Sequence, residues 1–319
     1  MIDIIIPHFN SVKKLIKLLS TIPENDLFKI YIIDDFSSES LVSLEEFIVK
    51  RNNVDLIKNE KNVGAGACRN LGLKLSNSEW VMFADADDFF LKDFDEIIRD
   101  TILQTIDKDY IDLIFFTPIS CNEDGNESNR HIHYENIVKK YVNDPSEVNA
   151  LNLRYKFVVP WSKMYRRSMI ENNGIFFDEV SVANDVMFST KCGLKAKEIL
   201  CIDKIIYCVL KDSGSLTTMI SKQKLSQRFD VFVSYNQFLL KNLGEVKYKK
   251  LGIVGYDFLL NAYINKYSSK DIIQMLKKMK KNKIKIISTK NFRFVKIKNK
   301  VSKMLENTKY QEDESGDNQ

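Results

Sequence analysis

What the sequence lacks narrows the reading first. It has no Cys-x-x-Cys pair: Cys68, Cys121, Cys192, Cys201 and Cys208 are scattered, odd in number, and several lie in apolar runs. That argues against a disulfide frame and for reduced, buried thiols in a cytoplasmic protein. No stretch approaches the roughly 18 apolar residues a membrane span needs. A strand-like run, Ile2–Ile6, opens the chain, so no signal peptide is expected. The glycines at 64, 66 and 72 fit neither the dinucleotide fingerprint nor the P-loop. No nucleic-acid-binding module accompanies the net charge of +5, so nucleic acid is not an expected partner.

At 319 residues with 44% hydrophobic content, the chain can build one large α/β domain and a helical extension. It is organised around Trp80-Val-Met-Phe-Ala-Asp85-Ala-Asp87-Asp88. Five uncharged residues read as a strand buried on both faces, as in a parallel sheet covered by helices. Three carboxylates then mark its carboxyl end, the edge at which open α/β sheets bind ligands. Alternation aims Asp85 and Asp87 the same way. Hard oxygen ligands at that spacing suit Mg²⁺ or Mn²⁺ bridged to a substrate's diphosphate, whereas a solvated turn is the plainer account of an isolated Asp-x-Asp.

Strand and helix alternate from the first residue. Ile2–Ile6 is a strand stopped by Pro7, Ser11–Leu19 has helical spacing, Lys29–Ile33 is a second strand ending in Asp34 and Asp35, Leu41–Val49 suits a helix, and Val54–Ile57 a third strand. These are βαβ units, which imply a parallel sheet with right-handed crossovers. Asn62–Gly72 then runs into a helix. Its glycines permit close backbone approach, its helix N-terminus favours an anion, and Arg69 adds a cation suited to phosphate; a plain loop with an exposed arginine is the competing account.

Beyond the acids, Phe94–Ile106 reads as a helix, Asp112–Phe116 as a strand, and Ser120–Arg130 as a polar surface loop. His131 and His133 follow at a strand-like i, i+2 spacing and read as exposed loop histidines rather than metal ligands. Pro160 and Trp161 suggest a rigid aromatic wall against which a sugar's apolar face could stack. Asn184 is a good N-cap for a helix from Val186 to Leu194, and Asp185 at its start has two accounts, capping and catalysis. Glu198–Leu210 reads as one or two strands, and Lys211–Ser215 as a lid-like turn.

Residues 221–310 read as a helical, basic region: Leu225–Leu243, Val246–Tyr267 and Asp271–Lys281 carry helical patterns rich in Phe and Tyr, a face on which two chains could pair as a homodimer. Basic residues far outnumber acidic ones between Lys270 and Lys309. The amphipathic stretch Ile284–Leu305 suits either a packed helix or peripheral contact with anionic lipid at the inner face of a membrane. Residues 311–319 are acidic and polar and should be disordered.

Four of these segments, in order, resemble the motifs of the GT-A family 2 glycosyltransferases, especially bacterial enzymes of capsule, O-antigen and lipooligosaccharide synthesis. The family's Pro-x-Tyr-Asn stands here as Pro7-His8-Phe9-Asn10, its Asp-Asp-Gly-Ser as Asp34-Asp35-Phe36-Ser37, its Asn-x-Gly-x-x-x-Ala-Arg-Asn-x-Gly as Asn62–Gly72 with Cys68 for Ala, and its Asp-Ala-Asp-Asp as Asp85–Asp88. The resemblance covers about residues 1–215 and implies a Rossmann-like, mostly parallel sheet within a catalytic domain of residues 1–220. It implies that Pro7, Phe9, Asn10, Asp35, Gly64, Arg69, Asp85, Ala86, Asp87 and Trp161 line a UDP-sugar site. Asp35 would accept from the base's ring N–H, Asp87 would hold Mn²⁺ or Mg²⁺ on the diphosphate, and Asp185, in an Asn-Asp pair where the family has Glu-Asp, would be the base. The implied reaction is inverting transfer to a hydroxyl of a glycan or lipid-linked glycan. A sugar-nucleotide-forming nucleotidyltransferase would need a Gly-rich basic loop after the first strand, which Pro7–Asn10 is not; a binding or scaffold protein of the same fold is the other alternative.

Overall fold

The computed structural model describes residues 1–105, 108, 110–211 and 221–287. The chain divides after Met219 into two compact units, each described by itself. The lid-like turn expected around Ser213–Ser215 and the lipid-facing and disordered stretches expected beyond Ile287 lie outside the described residues.

The first unit alternates as its apolar runs dictate: β1 (Ile2–His8), α1 (Val12–Ser20), β2 (Phe28–Asp34), α2 (Val42–Ile48), β3 (Val54–Lys58), α3 (Ala65–Leu75) and β4 (Trp80–Phe83). β1 and β4 are buried along nearly their whole length, which is why their sequences carry almost no polar residue. The exception, Asp3, is satisfied internally: its carboxylate accepts from the Ser78 backbone N–H at 2.8 Å and the Ser78 hydroxyl at 2.7 Å, pinning the start of β1 to the entry of β4.

There follow β5 (Phe89–Phe90), α4 (Phe94–Thr105), β6 (Ile111–Asn122), α5 (Ile132–Asn143), α6 (Glu147–Lys156), β7 (Lys163–Arg166), α7 (Arg167–Asn172), α8 (Asp185–Lys195) and β8 (Glu198–Lys211). Among the described residues these strands form one eight-stranded sheet in the order β3-β2-β1-β4-β7-β6-β8-β5. The β3-β2-β1-β4 half is wholly parallel; β7 runs antiparallel to both β4 and β6, β6 and β8 are again parallel, and β5 closes the edge antiparallel to β8. The chain leaves β1 toward β2 and β3, then returns to β4 on β1's other side. The carboxyl ends of β1 and β4 therefore form the topological switch point, where such sheets open a ligand crevice.

One expectation fails in part. His131 and His133 are not in a loop: His131 is the N-cap residue of α5, and His133, exposed as expected, lies within that helix. His131 is buried, its Nδ1 2.7 Å from the Ser120 hydroxyl, so a long-range partner rather than solvent satisfies it. Residues 123–130, after β6, are largely exposed, as expected of a polar surface loop, and the loop is closed by Ser128 N–H donating to Ser120 O and Asn122 N–H to Asn126 O.

The second unit holds α9 (Lys222–Leu251), kinked at Gly244, then α10 (Tyr256–Ile264) and α11 (Ser269–Lys281). The single helix expected over Val246–Tyr267 is broken because Gly252 adopts a left-handed C-cap at φ 61°. Leu225, Phe229, Val233, Ala262, Met275 and Met279 form this unit's own core, and Ile284, the first residue of the stretch expected either to pack or to meet lipid, packs into it. No helix among the described residues is long and apolar enough to cross a membrane.

Candidate functional site

The site is built from the loops at the carboxyl ends of β1 to β4. After β1, Pro7 is half-buried and still pairs in register with Ile33, while Phe9 is 50% exposed. Asn10, expected to touch the nucleotide, is a brace between loops. At φ 49° its Oδ1 accepts from the Ser38 and Glu39 backbone N–H groups at 2.9 and 3.1 Å, and its own N–H donates to the Ser37 hydroxyl. Behind it, buried His8 donates from Nδ1 to Asp34 at 2.8 Å, since its Nε2 accepts from Ser11 N–H.

Asp35 is 4% exposed and accepts from Val63 N–H and Gly64 N–H, each at 2.8 Å, and from Asn59 Nδ2 at 3.1 Å. A carboxylate offers about four acceptor positions. Three are spent on fixing the loop that leads into α3, and the Cys68 thiol lies against the same carboxylate.

The glycines of that loop do different work from the phosphate cradle expected of them. Gly64 takes φ +87° and gives its N–H to Asp35, so that donor is not free for an anion. Gly66 lies against the backbone carbonyl oxygen of Asp178, where an added Cβ would collide. It lets α3 touch the 178–184 segment, not a ligand. Gly66→Ala is expected to destabilise the protein by about 1–3 kcal/mol, because the obstacle is backbone and cannot rotate away. Chemical denaturation would check this, and an unchanged midpoint would mean that the segment moves freely.

Arg69 is 6% exposed rather than displayed to solvent. It donates from Nη2 to Asp85 Oδ1 at 2.5 Å and from Nη1 to Asn184 Oδ1 at 2.9 Å, with its guanidinium over the Phe177 ring at 5.4 Å. One side chain thus joins the end of β4 to the start of α8. Asn184 makes no side-chain cap to its helix, because that oxygen is committed to Arg69. The neighbouring Asn70 grips the same segment, donating to Phe177 O and accepting from Phe177 N–H.

The acids after β4 divide their roles. Asp88 is buried, accepting from the Tyr207 hydroxyl and from Leu210 N–H, each at 2.8 Å; burial above all, then Asp87 and Asp85, pushes its carboxyl well above the usual range. Tyr207 also accepts from Asp85 N–H at 2.9 Å, so it fixes the backbone that carries the other two acids. Asp87 is half-buried; burial and the charge of Asp85 raise its pKa. Ala86 between them is buried at 8%, so only its backbone can face a ligand. Asp185, the first residue of α8, keeps part of its surface open. Burial raises its pKa, opposed first by the Arg69 guanidinium. The structure thus gathers Arg69, Asp85 and Asp185 at the switch point with Asp87 beside them.

Trp161 does not present the wall expected of it. It is 5% exposed, stacked on Tyr207 at 6.0 Å and packed edge-on against Tyr134 at 5.1 Å, which places it in the core beneath the acids. Sequence reading missed Tyr207, which looked like one more apolar position of a strand, and the tie from Arg69 to Asn184, which no spacing announces.

Known proteins fit this geometry. The pattern of Glycosyl transferase family 2 matches residues 3–174, more than half the chain. TarS of Staphylococcus aureus, a poly(ribitol-phosphate) β-N-acetylglucosaminyltransferase, is 28% identical over 219 residues, covering 66% of this chain but only 36% of TarS. The crystal structure of TarS 1–349 in complex with UDP-GlcNAc superposes with a TM-score of 0.65 at 21% identity, over 88% of this chain and 80% of that one. A mannosyltransferase of Pyrobaculum calidifontis, in complex with GDP-Man and Mn²⁺, gives 0.50 at 12% identity over 86% and 78%. At those identities the two structures establish the GT-A-like fold. With the family pattern, they make the chain a glycosyltransferase that belongs to glycosyl transferase family 2.

Proposed function

We propose that the chain transfers a sugar from a UDP-sugar to a hydroxyl of a glycan or lipid-linked glycan, with inversion, in the assembly of a bacterial surface polysaccharide. The observation that carries this reading is the convergence of Arg69, Asp85 and Asp185 at the carboxyl ends of β1 and β4, with a half-buried Asp87 alongside. TarS acts on poly(ribitol-phosphate) and has been captured with UDP-GlcNAc, which supports a UDP-sugar and a polyol or glycan acceptor.

In this reading the base lies among Pro7, Phe9 and Asp35, with its ring N–H donating to the Asp35 carboxylate. Asp85 orients the ribose or donor sugar, held by Arg69 on one side and by Tyr207 through its N–H. Asp185 takes the proton of the acceptor hydroxyl as that oxygen attacks the anomeric carbon from the face opposite the departing UDP. Its raised pKa serves this role, because a base works best with a pKa near the working pH. Catalysis is assigned to residues 1–220, acting at the cytoplasmic face of the membrane.

The donor set suits Mn²⁺ or Mg²⁺. Burial and the neighbouring Asp85 carboxylate both raise the Asp87 pKa, and Asp87 is only partly buried, a pattern a divalent cation relieves. When bound, such an ion neutralises the charge that grows on the leaving diphosphate. Among the described residues no cluster of three metal-ligating side chains exists, so the phosphates and water would complete the shell. Wild-type protein with Mn²⁺ and UDP at about 100 times its Kd should be stabilised by roughly 2.7 kcal/mol. In Asp87→Asn the UDP shift should no longer differ between Mn²⁺ and chelator. A Mn²⁺-dependent shift of unchanged size in that variant would remove Asp87 from the metal site.

A further inference from the structure

Phe36 stands out as a residue that folding alone disfavours twice. It holds a left-handed backbone at φ +64°, where a bulky side chain is strained, and its ring is 58% exposed. Its position is not negotiable, because the loop is fixed on both sides. Asp35 is locked by Val63, Gly64 and Asn59. Ser37 donates from both N–H and Oγ to Asp34, and Asn10 holds Ser38 and Glu39. Glycine would fit that conformation freely. A strained, exposed aromatic in an over-determined loop at the ligand edge of the sheet points to a ligand-facing role.

The neighbours say which ligand. Asp35, the preceding residue, is the carboxylate to which the proposed reading brings the base. Phe9, itself half-exposed, precedes Asn10, whose bonds to residues 37–39 tie the β1 loop to the Phe36 loop. We propose that Phe36 is a specificity-determining wall of the donor site, an aromatic surface on which the nucleobase stacks while its ring N–H meets Asp35. This rests on the nucleotide-sugar reading of the site. Stacking suits the role because it needs only the flat face of the base and a ring held rigidly from below.

The test is calorimetric titration of wild type, Phe36→Gly and Phe36→Tyr with UDP and with inorganic pyrophosphate, each with Mn²⁺. Phe36→Gly relieves the strain, so it should fold with an equal or higher Tm. It should bind UDP roughly tenfold more weakly, the size of one lost base–aromatic stack, with pyrophosphate affinity unchanged. Phe36→Tyr should restore UDP affinity. UDP affinity in Phe36→Gly within about twofold of wild type would overturn the proposal, as would an equal loss for pyrophosphate, which would mark a collapsed loop. Wild-type protein that binds no UDP would instead overturn the reading of the site itself, and the two failures are therefore distinct.

Discussion

Asp185→Asn should lower kcat by about 10²–10⁴-fold, the usual contribution of a positioned general base, while leaving UDP affinity nearly unchanged. The substitution keeps the side chain's shape and removes its basicity. The pH profile carries the same argument with a definite sign. Asp185 must be ionised to accept a proton, and burial raises its pKa above the ordinary carboxylate value, with Arg69 holding it down. Activity should therefore fall on the acid side at a pH above the usual carboxylate range. In the variant the residual activity should lose that limb. Initial rates across pH with a UDP-sugar donor would measure both, and a variant that turns over at the wild-type rate would take Asp185 out of the chemistry.

How much of this could be read in advance varied with the range of the interactions involved. β1 and β4 were legible because a strand buried on both faces must be almost wholly apolar: Trp80–Ala84 is an unbroken apolar run, and Ile2–Ile6 is interrupted only by Asp3. The carboxylates after β4 were legible for the same reason, since a polar cluster cannot continue such a strand. β7 was not: Lys163-Met-Tyr-Arg166 carries two cations in four residues, yet all four are buried. Arg166 reaches Ile111 O and Glu79, and Lys163 donates to Phe157 O among the rings of Phe115, Phe157 and Tyr165; burial pushes its pKa down to about 7. Partners that lie far away in sequence leave no trace in local spacing. Asn184 failed in the same way. Its local chemistry says N-cap, and Arg69, 115 positions earlier, claims the oxygen instead. The break at Gly252 was different, because the glycine was visible and the apolar spacing was allowed to override it.

Arg69→Met should reveal how far the site depends on one cation. Methionine keeps an unbranched apolar stem but removes the guanidinium over Phe177, leaving Asp85 without its ion pair and Asn184 without its donor. Removing one partner of a fully buried pair costs about 3–5 kcal/mol. The Asp85 side chain is 32% exposed and can recruit water, so the loss should be about 2 kcal/mol, between the buried and surface limits. The chemistry should respond separately. Arg69 is the foremost group opposing the rise in the Asp185 pKa, so its removal should move the acid limb of the rate profile to higher pH. Arg69→Lys should bring the limb partway back, since it restores a charge but not the planar fork that spans Asp85 and Asn184. An acid limb at the wild-type pH in Arg69→Met would mean that Asp185 is insulated from Arg69. The guanidinium would then be a brace between β4 and α8, with no part in setting the base.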